Sequence, residues 1–258
     1  PLQSVDEYRP CAAPAGEASA IARAATRLLS AKRPVIIAGG GIKNTEGHAA
    51  ALALAEALNA PVVTSPGHGD AIPFGHPLNA GQMGPRGNLV ASKLVKEADV
   101  ILALGTRIGF NATFYSYDNI NRDAAIIQIE LDPTALGRYF PIAIGIWADA
   151  PTAALQLCDE VTQLEKRRIA DDWTATFKAD RRAFLAARDA EAITTANPIQ
   201  PSGLFKTLRD VLPTDAAITM DAGTLCLQAT DALNYWQPKS LFTPCLLYTS
   251  PSPRDYTR

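Results

Sequence analysis

The sequence predicts an α/β fold: a doubly wound, mostly parallel sheet in a central domain, followed by the truncated start of a second α/β domain. Between residues 16 and 165, short apolar segments alternate strictly with segments of helical periodicity. The apolar segments are continuous, which is typical of parallel strands covered on both faces. Near Pro198 the pattern of helix and strand begins again, which predicts the second domain.

The elements of the central domain, residues 16–165, follow from these patterns in order. The first helix is predicted in GEASAIARAATRLLSAKR, where Ile21, Ala24 and Leu28 share one face. Val35–Ala38 is the first strand, and the glycines that follow end it. Further helices are predicted in EGHAAALALAEALNA, NLVASKLVKEA, PTALGRY and APTAALQLCDEVTQLEKRR, and further strands in PVVTS, DVILALG, AAIIQIELD and IAIGIWAD.

Residues 166–197 are predicted to form a connecting helix and linker. The segment DDWTATFKADRRAFLAARDAEA is charged and helical, so we expect most of its surface to be exposed. Trp173, Phe177 and Phe184 are the large apolar side chains of this segment. We expect them to form the face that docks on the rest of the protein.

Residues 198–244 are predicted to open the second domain. Ser202 is expected to cap a helix over Gly203–Leu212, because a serine hydroxyl satisfies free N–H groups at a helix start. Ala216–Met220 is predicted as a strand, and DAGT as a turn at its end. This is too little chain to bury a core by itself, so the second domain is expected to be truncated.

Composition excludes several classes of protein. Hydrophobic residues make up 47% and charged residues 19% of the chain, which is typical of a globular protein, and the net charge of −2 offers no basic surface for nucleic acid. No apolar run approaches the ~20 residues of a membrane helix, and no secretory signal is present, so we expect a cytoplasmic protein. The first residue is Pro1 and not Met, so we expect it to lie inside a longer chain.

The cysteines show neither a CxxC pair nor the spacing of a metal site, which predicts separate reduced thiols. They are Cys11, Cys158, Cys226 and Cys245.

The stretch VIIAGGGIKNTEG has the order strand, glycine-rich turn, helix. Such a turn allows a phosphate to approach backbone N–H groups, so Gly40 and Gly41 are candidate cofactor-binding residues. It is not a dinucleotide fingerprint, because Asn44 stands where a third glycine belongs and the next strand ends in Thr64 and Ser65, without a ribose-binding acid. A tight turn without a ligand is the alternative, and an ordinary NAD dehydrogenase is disfavoured.

Polar residues follow the ends of two later strands. Arg107 in LALGTRIG could pair with a phosphate, and Asp132 in IELDPTALG could accept a hydrogen bond from a ribose hydroxyl. The alternative for each is a capping or salt-bridge role. Ligands of doubly wound folds bind at the carboxyl ends of strands, so both residues are candidates for the same binding edge.

The turn MDAGT repeats this placement in the second domain. Asp221, Gly223 and Thr224 follow a predicted strand, and Gly223 permits close approach of an anion to the backbone. By itself this pattern is weak.

The loop SPGHGDAIPFGHP carries two of the histidines. Ser65, His68 and Asp70 are the residue types of a hydrolase triad, but the chain has no G-x-S-x-G elbow. The loop is therefore interpreted as structural.

The aromatic residues after GTR, namely Phe110, Phe114, Tyr115 and Tyr117, are predicted either to stack on a ring or to be buried against a neighbouring domain.

Several stretches in one fixed order resemble the thiamine-diphosphate-dependent enzymes of the acetolactate-synthase type. They are RPVIIAGGGI, APVVTSPGHGDAIPFGHPLNAGQMGPRG, EADVILALGTR, IIQIELDPTALGRYFPIAIGIWADA and ITMDAGT. The resemblance implies that residues 1–15 are the linker leaving a missing pyrimidine-binding domain. It implies that residues 16–165 are the central domain and 198–244 the start of the diphosphate-binding domain.

The resemblance also implies cofactor sites. The turn that matches DAGT contacts the cofactor diphosphate in such enzymes, so Asp221, Gly223, Thr224 and Leu225 take that role. In members whose central domain holds FAD or another adenine nucleotide, the glycine-rich turn and the positions matching Arg107 and Asp132 lie near it. The implied cofactors are thiamine diphosphate and Mg²⁺, with FAD in the central domain of some members. The implied activity is cleavage of a 2-oxo acid type substrate with carboligation or acyl transfer, in a homodimer or homotetramer.

The chain departs from typical acetolactate synthases in two respects. IGFNATFYSYDNI stands where a charged FDDR-like stretch is usual, which is nearer to sulfoacetaldehyde acetyltransferase-like relatives or other C–C lyases of the family. The catalytic Glu belongs to the missing first domain, and the metal motif GDG is not found in this sequence. No catalytic or metal-ligating residue is therefore assigned, and the chain alone is expected to be inactive. The alternative of another class is a non-catalytic α/β domain that binds FAD or ADP or is purely architectural.

The end of the sequence differs from the rest in composition and lacks its periodicity. CLLYTSPSPRD can be back-translated into the end of a transposase-based sequencing-library adaptor. Residues 245–258 are therefore predicted to be an adaptor artefact and are excluded from fold reasoning.

Overall fold

The computed structural model describes residues 13–43, 47–164, 172–221 and 223–243. Most of the predicted linker 1–15 and the whole predicted artefact 245–258 lie outside the described residues, as do Cys11 and Cys245. Cys158 and Cys226 are free thiols, in agreement with the prediction for these two residues. No helix of the described part is long and apolar enough to cross a membrane.

A six-stranded sheet forms the centre of the molecule, in the order β3-β2-β1-β4-β5-β6. All neighbouring strands run parallel, so the predicted doubly wound α/β fold is confirmed. The strands are β1 (Pro34–Ala38), β2 (Val62–Thr64), β3 (Asn79–Gln82), β4 (Val100–Leu104), β5 (Ala125–Glu130) and β6 (Ile144–Trp147).

Helices cover both faces of this sheet. They are α1 (Ala18–Ser30), α2 (Gly40–Lys43), α3 (His48–Leu58), α4 (Leu89–Glu97), α5 (Phe110–Thr113), α6 (Ala150–Gln163) and α7 (Asp172–Ala190). Helices α1, α3 and α6 pack on one face, and α4 and α7 on the other. The predicted helix PTALGRY is a single 3₁₀ turn over Pro133–Ala135, with Pro133 at its first position.

The continuous apolar strand segments are explained by burial on two faces. In β4 every residue is buried. Leu102 and Leu104 belong to the cluster under α1, α3 and α6, whereas Ile101 and Ala103 belong to the cluster under α4 and α7. Because successive side chains of a strand point to opposite faces, a strand between two helical layers needs an apolar residue at every position.

Strand β3 is a finding that the hydrophobic pattern did not predict. Its sequence NAGQ is polar, and its register with β2 shifts between Val62 and Val63. Asn79 donates from its side chain to the carbonyls of Ile72 and Pro73, and Gly81 has a φ of 86°. The strand is therefore specified by hydrogen bonds from the Asn79 side chain to carbonyls of the preceding loop. Such bonds produce no periodic pattern in the sequence.

Helix α7 docks as predicted through its aromatic side chains. Phe177 is 2% exposed and belongs to the cluster with α4, and Trp173 and Phe184 pack against that cluster. The Trp173 indole N–H also donates to the carbonyl of Pro34, at 3.2 Å.

The second unit consists of α8 (Pro201–Val211), β7 (Ile218–Thr219), α9 (Thr224–Ala232) and β8 (Leu241–Phe242). Strands β7 and β8 pair in parallel as a separate two-stranded sheet. Its small core consists of Phe205, Ala229, Leu233, Tyr235 and Leu241.

Two expectations for this unit were wrong in detail. Helix α8 begins earlier than predicted, because Pro201 occupies its first position and Gln200 stands at the N-cap without a side-chain hydrogen bond. Ser202 therefore lies inside the helix and is not its cap. The predicted strand Ala216–Met220 is reduced to Ile218–Thr219, the part that finds a partner in β8.

Backbone contact between glycines fixes the turns after β1 and β4. Gly41 donates to the carbonyl of Gly105 at 3.0 Å, and Gly105 has a φ of 62°. A Cβ on Gly105 would lie 2.8 Å from the Cα of Gly41, and a Cβ on Gly39 would lie 2.4 Å from the Gly105 oxygen. A real Cβ essentially never approaches another atom this closely, so these positions require glycine.

A polar contact joins the two units. Asp231 of α9 accepts hydrogen bonds from the Asn88 side chain at 3.0 Å and from the backbone N–H of Gln82 at 3.2 Å. Asn88 also caps α4 by accepting from the N–H of Ala91 at 2.8 Å. Removal from water raises the pKa of Asp231, and the Asn88 hydrogen bond opposes this shift.

Substitution Gly105→Ala is expected to lower the free energy of unfolding by about 3 kcal/mol, since it adds a left-handed backbone conformation to an overpacked contact. Gly109→Ala is the matched control, because nothing lies within 4 Å of a Cβ at that position. Urea denaturation measures both. Equal midpoints for the two variants would contradict the proposed role of this glycine contact.

Substitution Asp231→Asn is expected to stabilise the protein relative to wild type as the pH rises above about 4, the pKa of an unfolded aspartate. A carboxyl whose folded-state pKa is raised contributes stability below its unfolded pKa and loses that contribution as the pH rises through its folded pKa. The asparagine keeps the acceptor oxygen without the charge.

Denaturation midpoints measured over a pH series test this expectation. Asp180→Asn, which changes a carboxylate at the exposed Lys93 ion pair, is the control. If the midpoints of Asp231→Asn and wild type differ by the same amount at all pH values, the raised pKa of Asp231 is contradicted.

Candidate functional site

The strand order places a cleft at the carboxyl ends of β1 and β4. From β1 the chain builds the sheet first toward β3 and then, after β4, toward β6, so the loops of these two strands diverge, as at the switch point of a doubly wound fold. The cleft between them has a volume of about 490 Å³, within the range of small-molecule sites. Its lining consists of Gly40, Gly41, Ser65, Pro66, His68, Gly105, Thr106, Arg107, Gly109, Phe110, Asn111, Ala112, Glu130 and Leu131.

Three of the predicted cofactor-binding residues meet in this cleft. Gly40 and Gly41 form one wall, and Arg107 follows the end of β4 on the other. The Arg107 side chain is exposed, so its guanidinium is available to an anionic ligand.

Asp132, the fourth predicted residue, is not among the residues that line the cleft. Its carboxylate caps the 3₁₀ turn by accepting from the N–H of Thr134 at 2.9 Å and from its hydroxyl at 2.7 Å. These hydrogen bonds, followed at longer range by Arg107, lower the pKa of Asp132. The contacts of Asp132 are therefore those of the alternative prediction, a capping role. Glu130 lines the cleft.

Gln128 fixes the two loops on the β4 and β5 side of the cleft. It is buried in β5 and donates from its side chain to the carbonyls of Thr106 and Ala135, each at 3.3 Å. Its own side-chain oxygen accepts from the N–H of Gly137 at 2.9 Å. One side chain thus joins the loop that carries Arg107 to the loop that follows β5.

His68 is a cleft residue that the sequence did not single out for binding. Its ring lies against Gly40, where a Cβ would approach Cε1 to 2.9 Å. Burial, followed by the nearby Lys43 charge, lowers the pKa of His68 to about 4, so the ring is neutral at pH 7. Its buried Nδ1 has no hydrogen-bond partner among the described residues, which makes the ring a free polar group beside the cleft.

The hydrolase triad is not assembled around this histidine. Ser65 and His68 contact through their main chains, with a 3.1 Å hydrogen bond from the His68 N–H to the Ser65 carbonyl. Asp70 instead forms an ion pair with Lys43 at 2.9 Å. The structural interpretation of this loop therefore agrees with the observed contacts.

An exposed aromatic cluster borders the cleft. Phe110, Phe114 and Tyr115 lie with ring centroids 4.9 to 5.5 Å apart, and Tyr115 stacks on Tyr139 at 4.6 Å. Tyr117, the fourth member of the predicted aromatic run, lies apart from them and packs against Phe140 and Arg122 in the core layer under α4 and α7. The run therefore divides into an exposed part and a partly buried part.

The backbone around this cluster is strained. Phe114 and Tyr115 have φ values of 50° and 55°, and Ile108 has a φ of 50°. Left-handed conformations of large side chains are costly and tend to occur at functional sites.

The DAGT turn forms a second, separate feature. Gly223 has φ 148° and ψ 175°, a conformation that is essentially restricted to glycine, and it precedes the nine-residue helix α9. Asp221, Thr224 and Leu225 are exposed, and nothing lies within 4 Å of a Cβ at Gly223. The start of α9 is therefore exposed, and an anion-binding turn requires such exposure.

Metal ligands are not gathered in the described part of the chain. No group of three or more His, Cys, Asp or Glu side chains there could hold a metal ion. The described residues therefore supply no cluster for the magnesium ion that the resemblance implies.

Comparison with known proteins identifies relatives of one kind. The chain is 33% identical over 250 residues to the sulfoacetaldehyde acetyltransferase of Castellaniella defragrans, covering 88% of this chain and 41% of that protein. It is 29% identical to the acetolactate synthase large subunit of Buchnera aphidicola, covering 81% of this chain and 36% of that protein. The chain thus spans about two fifths of the length of these relatives.

A solved structure supports the fold. The benzoylformate decarboxylase of Polynucleobacter necessarius superposes with a TM-score of 0.69 at 18% identity, covering 94% of this chain and 43% of that chain. A family model described as "Thiamine pyrophosphate enzyme, central domain" matches residues 21–157. Because this model covers more than half of the chain, the chain belongs to the thiamine pyrophosphate enzyme family.

Proposed function

We propose that the chain is part of a thiamine-diphosphate-dependent enzyme that cleaves a bond beside a carbonyl group and passes the acyl unit to an acceptor. The observation that carries this proposal is the family match over residues 21–157 together with the open turn at Gly223. The substrate is of the 2-oxo acid type or a related aldehyde. A homodimer or homotetramer in the cytoplasm is part of the same proposal.

Sulfoacetaldehyde is the first substrate candidate. The Castellaniella relative is more similar to this chain than the Buchnera acetolactate synthase, with 33% against 29% identity. The residues that border the cleft mouth, IGFNATFYSY, also form an aromatic cluster and not a charged one. Acetolactate-type carboligation of a 2-oxo acid is the alternative, and another C–C lyase reaction of this family is the third.

The residues of the DAGT turn would hold the cofactor's diphosphate. Gly223 leaves room for the anion, and the N–H groups of Thr224 and Leu225 at the start of α9 would donate to it. Thiamine diphosphate, when bound, supplies an electron sink for bond cleavage beside a carbonyl. This chain's contribution is to place and orient the anionic end of that cofactor.

The central cleft would hold an adenine nucleotide, either FAD or ADP. Arg107 provides the cation for a phosphate, and the backbone at Gly40 and Gly41 provides close approach. The neutral His68 ring adds a polar atom without repelling or attracting charge. Binding without catalysis at this cleft is the second candidate function.

The complete enzyme distinguishes the candidate reactions by its products. With sulfoacetaldehyde, transfer of an acetyl unit must release sulfite, whereas a 2-oxo acid must release CO₂. We expect sulfite release that depends on added thiamine diphosphate. CO₂ release from pyruvate without sulfite release from sulfoacetaldehyde would favour the acetolactate-type alternative, and activity with neither substrate would contradict both.

The chain alone is expected to show no turnover with thiamine diphosphate, magnesium and pyruvate or sulfoacetaldehyde, because its described residues gather no metal-ligand cluster. A coupled assay of product formation against a blank without protein measures this. Any turnover above the blank contradicts the expectation.

Isothermal titration of the chain with ADP, FAD and NAD tests the cleft. We expect binding of ADP or FAD that weakens about tenfold in Arg107→Ala, since a phosphate loses its charge-assisted partner. Arg27→Ala, which changes an exposed arginine on α1 outside the cleft, is the control. NAD-selective binding, or equal affinity of Arg107→Ala and wild type, contradicts the proposal.

A further inference from the structure

Lys43 and Asp70 of the central domain hold the main chain of one residue in the second unit. Lys43 Nζ donates to the carbonyl oxygen of Leu241 at 2.6 Å. Asp70 Oδ2 accepts from the backbone N–H of the same residue at 3.1 Å. The two charged groups also form an ion pair, with 2.9 Å between Nζ and Oδ1. Both backbone groups of Leu241 are thus bound by a pair of opposite charges, which we call the main-chain clamp.

The clamp is buried. The Asp70 side chain is 0% exposed and the Lys43 side chain 14% exposed, and Leu241 is 0% exposed. A buried ion pair gains little net stability by itself, because desolvation offsets its attraction. Its geometry is therefore better explained by what it positions than by the stability it adds.

Strand β8 carries the effect of the clamp to the DAGT turn. Leu241 pairs with Ile218 and Phe242 with Thr219 across the two parallel strands. Beyond β7, the N–H of Met220 donates to the carbonyl of Phe242 at 2.9 Å. Met220 stands three positions before Gly223, so the placement of β8 sets where the turn begins.

The clamp acts on backbone atoms and not on side-chain packing. The Leu241 side chain lies in the small core of the second unit with Phe205 and Tyr235. The clamp instead fixes the position of β8 along its own direction, because it engages one N–H and one C=O of a single residue.

We propose that Lys43 and Asp70 are positioning residues that act through Leu241 to place the diphosphate-binding turn against the central domain. This inference rests on the proposed function of the turn at Gly223. In this proposal neither Lys43 nor Asp70 contacts the cofactor. Their effect is on the position of the turn that does.

Hydrogen exchange measured by mass spectrometry on the 258-residue chain tests the clamp. In Asp70→Asn and in Lys43→Met, amides of β7 and β8 are expected to exchange about tenfold faster than in wild type. Amides of β1, β4 and β5 are expected to keep wild-type rates. Asp180→Asn, which breaks the exposed Lys93–Asp180 pair, is the matched control and is expected to change neither set.

The paired substitution of Lys43→Met with Asp70→Asn guards against misfolding, because it leaves no uncompensated buried charge. It still removes the donor to the Leu241 carbonyl, so faster exchange of β7 and β8 is expected. Lys43→Arg, which retains a cation and a donor, is expected to return exchange to near the wild-type rate. Unchanged exchange of β7 and β8, or an equal rise in all strands, overturns the clamp.

Titration with inorganic pyrophosphate, followed by the amide NMR signals of Gly223 and Thr224, separates the two proposals. Shifts in wild type that weaken in the paired variant are expected. Pyrophosphate shifts in wild type with wild-type exchange in the clamp variants would overturn the clamp alone. The absence of any shift in wild type would overturn the proposed function of the turn and, with it, the role of the clamp in cofactor binding.

Discussion

The close approach of Gly41 and Gly105 is the constraint on which the cleft depends. At the point where the strand order reverses, the turns after β1 and β4 meet backbone to backbone, with the Gly41 N–H bonded to the Gly105 carbonyl at 3.0 Å. A side chain at either position would force the two turns apart, since no rotamer removes a Cβ. Because the turns meet here without side chains, residues close to the contact, Gly40 on one side and Arg107 on the other, come to line one cleft.

The polar residues near the cleft are of two kinds. Some of them bind the backbone of the surrounding loops, and others face the cleft. The Gln128 side chain in β5 and the Asp132 carboxylate are occupied by backbone groups of the neighbouring loops, whereas the Arg107 side chain is exposed and the buried Nδ1 of His68 has no hydrogen-bond partner among the described residues. The contacts of Asp132 have a simple physical origin. The Asp132 carboxylate stands two residues before the N–H of Thr134 and forms a local turn with it at little entropic cost.

The sequence predicts those parts of the structure whose causes are local. Continuous apolar runs such as Val100–Leu104 predict buried parallel strands, and the glycines after Ala38 predict a tight turn. Strand β3 escaped prediction because Asn79 and Gly81 specify it through hydrogen bonds and a positive φ, which have no periodicity. Glu130 was missed as a residue of the cleft lining because it is the last residue of β5, whereas Asp132 follows two positions later and caps the 3₁₀ turn.

The clamp escaped prediction for a different reason, since it joins Lys43, Asp70 and Leu241 from three distant parts of the chain. Its placement nevertheless follows from the strand order. The loops after β1 and β2 end on the same edge of the sheet, so Gly40 and His68 face the cleft while Lys43 and Asp70, a few residues on, reach β8. The His68 ring packs on Gly40 with no room for a Cβ, and His68 stands two residues before Asp70. The geometry of the cleft wall and the placement of β8 are therefore set by the same two loops, so a change in one of them also affects the other.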